Sequence, residues 1–491
     1  MFCLADELQQ LSLVERISKL EALPSSDPIK FLNLLKEHID LPTFIPHQFY
    51  EHYHSSDTNT RDYPLESILS ILLLAHFFKF STQNFLIMLS FSPELQKFCR
   101  LDGSIPSASV ISKFKITFSY DLLFFFNNVV PHVIDIFTEY NNSLPDDSPL
   151  KDLNENAIYD TTGLKPKVKE NNPKFIAAEI KRQSNYKKYL NSKGEGKDFN
   201  IYAAAYKNLP KQASANPAIK LDYANGHFGY FYKFGMVSNG FGTPLNIHFL
   251  DEDFYKNIPD EFDSMEEQKR VSDNASLRPV ITSFSKHMNN NRFTTFIGDS
   301  EFDSYDNYSF LHNCGFEKIL IPINPRNSKQ SKDISFPLNH ENVPCCPRNS
   351  LPFIAAGPCK GKNRSLRLKF VCPLSSRVKG KWSSNCEDTC RETNSTVTTY
   401  VYPNGDLRVF PGIQRGSDEW NENYKIRTVI EREFSSLKSN PAIDRPNTYN
   451  LASMRSDVFL SAITKLFTVI LAFAVGQPQY MSNLRKLLTV A

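Results

Sequence analysis

Tyr424 to Lys438, reading YKIRTVIEREFSSLK, is the stretch that decides how this chain is understood. At ~100° per helical residue, with Arg427 as zero, Tyr424 projects at about 60°, Glu431 at about 40° and Lys438 at about 20°. A continuous helix therefore presents all four on one polar face. Ile426, Val429, Ile430, Phe434 and Leu437 fall on the adjoining arc, an apolar side that can dock on a core while a carboxylate and two cations point outward. Glu433 breaks the pattern by projecting into the apolar arc, which makes it the second-choice carboxylate. An ordinary amphipathic helix with i,i+4 ion pairs has the same look, so the other segments must decide.

The chain of 491 residues exceeds one ordinary core and suggests roughly two to four units. A hydrophobic share of 41% with 39 Phe and 21 Tyr supplies cores and excludes wholesale disorder. The net charge of +3 says little, but its distribution is uneven. From Lys165 to Lys220 there are 13 Lys/Arg against 4 acids (Glu170, Glu179, Glu195 and Asp198), and from Lys360 to Lys381 there are eight Lys/Arg and no acid. Such local fields suit phosphate backbones, and solvated polar loops look the same. The first 20 residues carry charges where a signal peptide needs an apolar run, which gives the expectation of a cytoplasmic protein with no membrane partner. Ile68 to Phe80 is too short to span a bilayer, and Val458 to Val475 carries Lys465 near its middle, so both read as buried helices. Nine Cys in such a chain are expected to be mostly reduced thiols.

Residues 1 to 142 read as an all-helical domain. Apolar residues recur at helical spacing through LESILSILLLAHFFKFSTQNFLIML, and Ser92-Pro93 starts a short helix with Glu94 in its first turn. In IPSASVISKFK, Ser107 or Ser109 can cap a helix carrying Lys113 and Lys115. A short helix, a turn and a basic helix are compatible with helix-turn-helix DNA binding through those two lysines. SLPDDSP, Ser143 to Pro149, marks a boundary. AIYDTTG then reads as a short strand ending at Asp160. The basic stretch that follows is interleaved with Tyr186, Tyr189, Tyr202 and Tyr206, which could stack on bases or simply pack. HFGYFYKFGMVSNGFGTPLNIHFLD alternates as a hairpin around SNGFGT. A charged helical segment, Asp260 to Met288, leads to a strand ending at Asp299 and a helix beginning near Asp303, with the strand KILIPIN after it. From about Asn324 to Thr399 the chain reads as loop-rich, with Cys345, Cys346, Cys359, Cys372, Cys386 and Cys390. Their spacing lacks a C-x2-C pair, which favours reduced or partly buried thiols over a zinc site. TTYVYPNGDLRVFP reads as a second hairpin, and Ser453 to Val475 as a long apolar helix covering a sheet.

Asp160 and Asp299 at strand ends and Glu431 on a helix form a suggestive set. Phosphodiester cleavage by two divalent cations needs bridging carboxylates, and Mg²⁺ accepts oxygen ligands while keeping several waters. Arg and Lys beside the helical Glu stand where phosphate would have to lie.

These residues resemble the DDE transposases of bacterial insertion sequences whose third carboxylate lies in a Tyr-x2-Arg-x3-Glu-x6-Lys signature. Tyr424, Arg427, Glu431 and Lys438 match every position and spacing; GDSEFDS resembles the second motif at Asp299, and IYDTTG the first at Asp160. The resemblance spans roughly residues 45 to 475. It implies an α/β fold: a ribonuclease H-like mixed sheet flanked by helices, built from residues 150–323 and 413–480, with an all-helical domain before it and the 324–412 insertion before the last catalytic helix. It implies Asp160, Asp299 and Glu431 as catalytic residues and ligands of two Mg²⁺ ions, with Mn²⁺ able to substitute. Arg427 and Lys438 would hold phosphate or flanking DNA and Tyr424 would contact DNA near the cut, whereas Asp303 and Glu433 would be structural. The implied partners are double-stranded DNA, as terminal inverted repeats and target, and a second copy of the chain. The implied setting is the bacterial cytoplasm at the nucleoid. A DNA-binding descendant without catalysis and a metal-dependent nuclease without strand transfer are the alternatives.

Overall fold

The structure, a computed structural model, describes residues 28–55, 61–224, 227–251, 273–287, 293–324, 336, 339, 343–346, 348–359, 367–378, 381–384, 386, 398–401, 407–408 and 410–490. The chain folds into two compact units, one from Leu144–Leu164 and Pro217–Ser435, the other from residues up to Ser143 with Lys165–Asn216 and Ser436–Ala491. The mixed α/β architecture expected from the sequence is present.

The first unit is built on a mixed sheet. Its strands are β1 (Asn156–Leu164), β2 (Lys220–Ala224), β3 (His227–Ser238), β4 (Pro244–Phe249), β5 (Thr295–Ile297) and β6 (Lys318–Leu320). They run in the order β2-β3-β1-β5-β6, with β4 also on β3. β1 and β4 are both antiparallel to β3, whereas β1, β5 and β6 run parallel. β1 lies in the interior of the sheet, and Asn156, Ala157, Ile158 and Tyr159 are all buried, as a strand covered on both faces requires. Asp160 is not the last residue of this strand: pairing continues from Asp160 opposite Met236 to Leu164 opposite Tyr232. β5 is short and ends at Ile297, two residues before Asp299.

The expected hairpin forms from β3 and β4. Asn239 accepts from the backbone N–H groups of Phe241 (3.1 Å) and Thr243 (3.0 Å), a side-chain turn of the kind asparagine favours. Gly242 takes φ +79°, a conformation that costs glycine little. The helix Asp273–His287 packs on β3 and β4, and Tyr305–Asn313 on β6. The part of the charged segment from 260 to 272 lies outside the described residues.

The insertion before the last helices holds β7 (Ile354–Cys359), β8 (Arg367–Val371), β9 (Ser375–Val378), β10 (Lys381–Ser384) and β11 (Thr398–Val401). β11 pairs with β8, and Leu407 and Arg408 lie in a turn; position 409 of the expected second hairpin lies outside the described residues. The tip of that hairpin, 402–406, lies outside the described residues, as does Cys390. Cys346 and Cys372 pack with Val343, Phe353, Leu368, Phe370 and Val401 in a local core, where the thiols serve as small apolar groups.

The other unit is helical. Leu451–Ala474 packs against Ser119–Ser143, Leu65–Phe77 and Ala108–Thr117. The expectation that it covers a sheet is therefore corrected: its faces are apolar nearly all round, which suits the centre of a helical bundle. It is long and apolar enough to cross a bilayer, but 78% of its most apolar window is buried inside the protein. Ser92 caps Pro93–Phe98 and Ser107 caps Ala108–Thr117, each accepting from a backbone N–H three residues on. Cys99 to Ser107 separates those helices, a longer link than the ~3–4-residue turn of a helix-turn-helix.

Candidate active site

The parallel register of β1 and β5 builds the site. Ile158 lies opposite Ile297, and Asp160 and Asp299 each follow two residues later, so the two carboxylates leave the sheet side by side. Asp160 Oδ1 accepts from Thr161 N–H at 2.8 Å, which fixes the carboxylate while Oδ2 accepts from Arg427. Asp299 caps the short helix Ser300–Phe302, accepting from the Ser300 N–H and, at 3.0 Å, from the Ser300 hydroxyl.

Glu431 comes from the helix Thr428–Lys438, in whose first turn a carboxylate complements the helix dipole. The stretch from Tyr424 to Lys438 is not one helix. Asp418–Lys425 ends first, and Ile426 and Arg427 form a tight turn with i→i+3 bonds from Ile426 N–H to Asn423 C=O and from Arg427 N–H to Tyr424 C=O. The β-branched run Ile426, Thr428, Val429, Ile430 is a physical reason for the break, because such side chains crowd a preceding helical turn. The single polar face is thereby corrected: Tyr424 belongs to the preceding helix, where it stacks on Trp420 with centroids 6.4 Å apart. The apolar arc is as expected, with Ile430, Phe434 and Leu437 buried.

Arg427 joins the three carboxylates. Its Nη2 donates to Asp160 Oδ2 at 3.0 Å and to Asp299 Oδ2 at 2.8 Å, and its Nη1 donates to Glu431 Oε1 at 2.6 Å. Asp160 lies 267 residues and Asp299 128 residues from Arg427 in the chain, so folding alone assembles the set. Burial works against the guanidinium charge, but Asp160, Asp299 and Glu431 outweigh it and hold the Arg427 pKa above its ordinary value. Burial pushes the Tyr424 hydroxyl up to about 12, so the phenol stays protonated as a neutral donor. Arg427 as the shared counter-ion is what reasoning from sequence missed. Its i,i+4 spacing to Glu431 was visible, but nothing local tied it to the two aspartates.

Hard oxygen donors of this kind suit Mg²⁺ better than any softer metal. As placed, the carboxylates are gathered on a guanidinium, and among the described residues no three His, Cys, Asp or Glu side chains close on a common metal position. Three carboxylates face one guanidinium, a formal excess of negative charge that attracts further cations.

The remaining expected residues separate into classes. Glu433 is buried on the packing side, and the Gly242 turn faces it and Val429. Asp303 is buried in a two-pronged ion pair with Arg408 (2.8 and 2.6 Å) and also accepts from the Asn324 N–H. Lys438 ends its helix among residues of the helical unit. Burial lowers its pKa to about 8 against the pull of Asp444. Lys113 is exposed. Lys115 is corrected: it is buried, and its ammonium sits 2.9 and 2.8 Å from the two oxygens of Asp457, so it supports the bundle and does not face DNA.

A family model described as a transposase domain (DUF772) matches residues 19–116, within the helical unit. No curated protein and no solved structure matches the chain. The matched stretch supports a transposase family, and the carboxylate cluster lies outside it.

Proposed function

We propose that this chain is a DNA transposase of the DDE kind, cutting DNA at the ends of a mobile element and joining the freed 3′ hydroxyl to target DNA. The observation that carries the reading is the convergence of Asp160, Asp299 and Glu431 on one point of the sheet, each with an oxygen on Arg427. The mixed sheet, in which antiparallel strands are continued by parallel ones, supports a ribonuclease H-like core. The transposase-domain match supports the same reading from a separate part of the chain.

Asp160, Asp299 and Glu431 would hold Mg²⁺ ions through carboxylate oxygens once Arg427 turns away. Bound there, the ions would activate the attacking oxygen and stabilise the leaving one. Arg427 itself is placed to exchange its carboxylates for a phosphate, since its planar fork matches both. Tyr424, neutral and half-buried, can donate to a phosphate oxygen or pack on a sugar. Lys438 and Lys113 would neutralise DNA phosphates.

The test is strand cleavage and strand transfer on a DNA fragment carrying the element ends, taken from the sequence flanking the gene. Asp299→Ala should abolish both reactions in Mg²⁺ and leave end binding largely intact, because removing one acid does not remove the basic surface. A variant that still cuts would sink the assignment. Binding by the wild-type protein without cleavage under any divalent cation would favour the non-catalytic alternative.

A further inference from the structure

The helix Pro173–Ser192 and the shorter helix Ile201–Asn208 pack against each other within the helical unit, and the lysine-rich stretch after β1 resolves into this pair. Its tyrosines are not core residues. Tyr186, Tyr189 and Tyr202 are between 48% and 61% exposed, far more than tyrosines usually are when they serve packing. Tyr186 and Tyr189 stack on each other with centroids 6.2 Å apart, Phe199 buttresses Tyr186 edge-on at 5.5 Å, and the Lys193 ammonium lies 4.6 Å over the Tyr189 ring. Arg182, Tyr186, Tyr189 and Lys193 recur at steps of four, three and four, which lines cation, ring, ring and cation along one stripe of the helix.

Two of the segment's four acids are turned inward or answered locally, while Glu195 and Asp198 are exposed. Glu170 is buried and accepts from Ser214 N–H, while Glu179 accepts from Arg182 and Gln183. Lys174, Lys181, Lys188 and Lys207 are exposed. A surface of preformed aromatic faces between exposed cations matches a strand whose bases are free to stack and whose phosphates need neutralising. A duplex offers the phosphates but hides its base faces, so the rings would add nothing to duplex binding.

We propose that this helix pair binds single-stranded DNA, stacking unpaired bases on Tyr186, Tyr189 and Tyr202 while the lysines follow the backbone. The inference rests on the transposase reading only for the source of the strand, the end freed by cleavage. Binding itself can be measured without cleavage.

The experiment is fluorescence anisotropy of the full chain with a labelled oligothymidylate of about 20 nucleotides and with a duplex of the same length and unrelated sequence. Each of Tyr186→Ala, Tyr189→Ala and Tyr202→Ala should weaken oligothymidylate binding by about five-fold or more, the Tyr→Phe changes should not, and duplex binding should be unmoved. Lys181→Glu with Lys188→Glu should weaken both probes and flatten the salt dependence. Asp299→Ala should bind the oligothymidylate like wild type, so a failed cleavage reading leaves this result standing. Equal oligothymidylate affinity in wild type and the three alanine variants overturns the proposal, as does a wild-type chain that binds only the duplex. Circular dichroism melts of the three alanine variants matching wild type confirm that the loss is not unfolding.

Discussion

Removing Arg427 should loosen the fold and tighten metal binding at the same time. In the structure the guanidinium makes three charge-assisted bonds, and their environments differ. Arg427 and Asp160 are each 17% exposed, so that pair contributes at the level of a partly buried charged hydrogen bond. Asp299 at 38% and Glu431 at 54% are open enough for water and salt to reduce each pair to a few tenths of a kcal/mol. Together the three are worth about 2 kcal/mol in the metal-free protein. Arg427→Ala should therefore lower the melting temperature of the sheet unit by about 5 °C at low salt. A cation entering the wild-type site must first release the arginine, so the same ~2 kcal/mol should make the Mn²⁺ dissociation constant about 30-fold weaker in wild type than in Arg427→Ala. The assay is a Mn²⁺ titration of DNA-free protein by electron paramagnetic resonance, paired with thermal melts across the same concentrations. Cleavage should fall in the variant although metal binds better, because the phosphate loses its fork of donors. A variant that binds Mn²⁺ no more tightly than wild type would refute the view that Arg427 occupies the place of the metal charge.

Further outcomes follow from particular contacts. Glu431→Gln should abolish cleavage, whereas Glu433→Gln, altering a buried side chain that faces the Gly242 turn, should retain it; the reverse result in a cleavage assay would reassign the third carboxylate. Lys115→Met removes the ammonium from buried Asp457 and leaves His76 Nε2 at 3.4 Å, so it should cost about 3–5 kcal/mol in chemical denaturation without changing DNA affinity at permissive temperature. Burial raises the Asp457 pKa, but Lys115 and His76 outweigh it and hold the value below the ordinary 3.8. The stability from this carboxylate is thus fully present above that pH and lost as pH falls through the lower folded-state value, which acid melts of wild type against Asp457→Asn should show. Gly242→Ala puts a Cβ 2.9 Å from Val429 Cγ1 on a backbone with φ +79°. It should lower the melting temperature by a few degrees, through about 1–3 kcal/mol of strain.

What the sequence could and could not convey follows from the range of each signal. Helical periodicity is local, so the stretch around Glu431 shows its apolar arc and its acid before any fold is known. Strand neighbours are not local: Asp160 and Asp299 are recognisable as acids following apolar strand residues, but the parallel pairing of Ile158 with Ile297, which makes them adjacent, is written nowhere in either segment. The same limit hid Arg427, whose helical neighbour Glu431 is four residues away while its other two partners are in different strands and turns. Exposure is likewise a tertiary property, and so the tyrosines of the basic stretch read equally well as stacking or packing groups.

Lys115 shows that a long-range contact can leave a local signal. Ile111, Phe114 and Phe118 are buried at steps of three and four, and Lys115, four residues after Ile111, falls on that same apolar arc. A basic helix face for DNA would have placed it opposite, as Lys113 is placed. Glu433 has the same character, an acid between Ile430 and Leu437 on the packing side of its helix. A charge on an apolar arc cannot remain there without a compensating group, because burying an ion alone costs more than a helix can contribute. For Lys115 that group is Asp457, 342 residues further on in the second turn of an apolar helix, and that acid is itself out of place by the same rule. Two charges, each misplaced on its own helix, are mutual evidence that those helices touch. The sequence therefore contained the contact between Ala108–Thr117 and Leu451–Ala474, in a form that becomes legible once oddly placed charges are matched with one another instead of being assigned one by one to solvent or ligand.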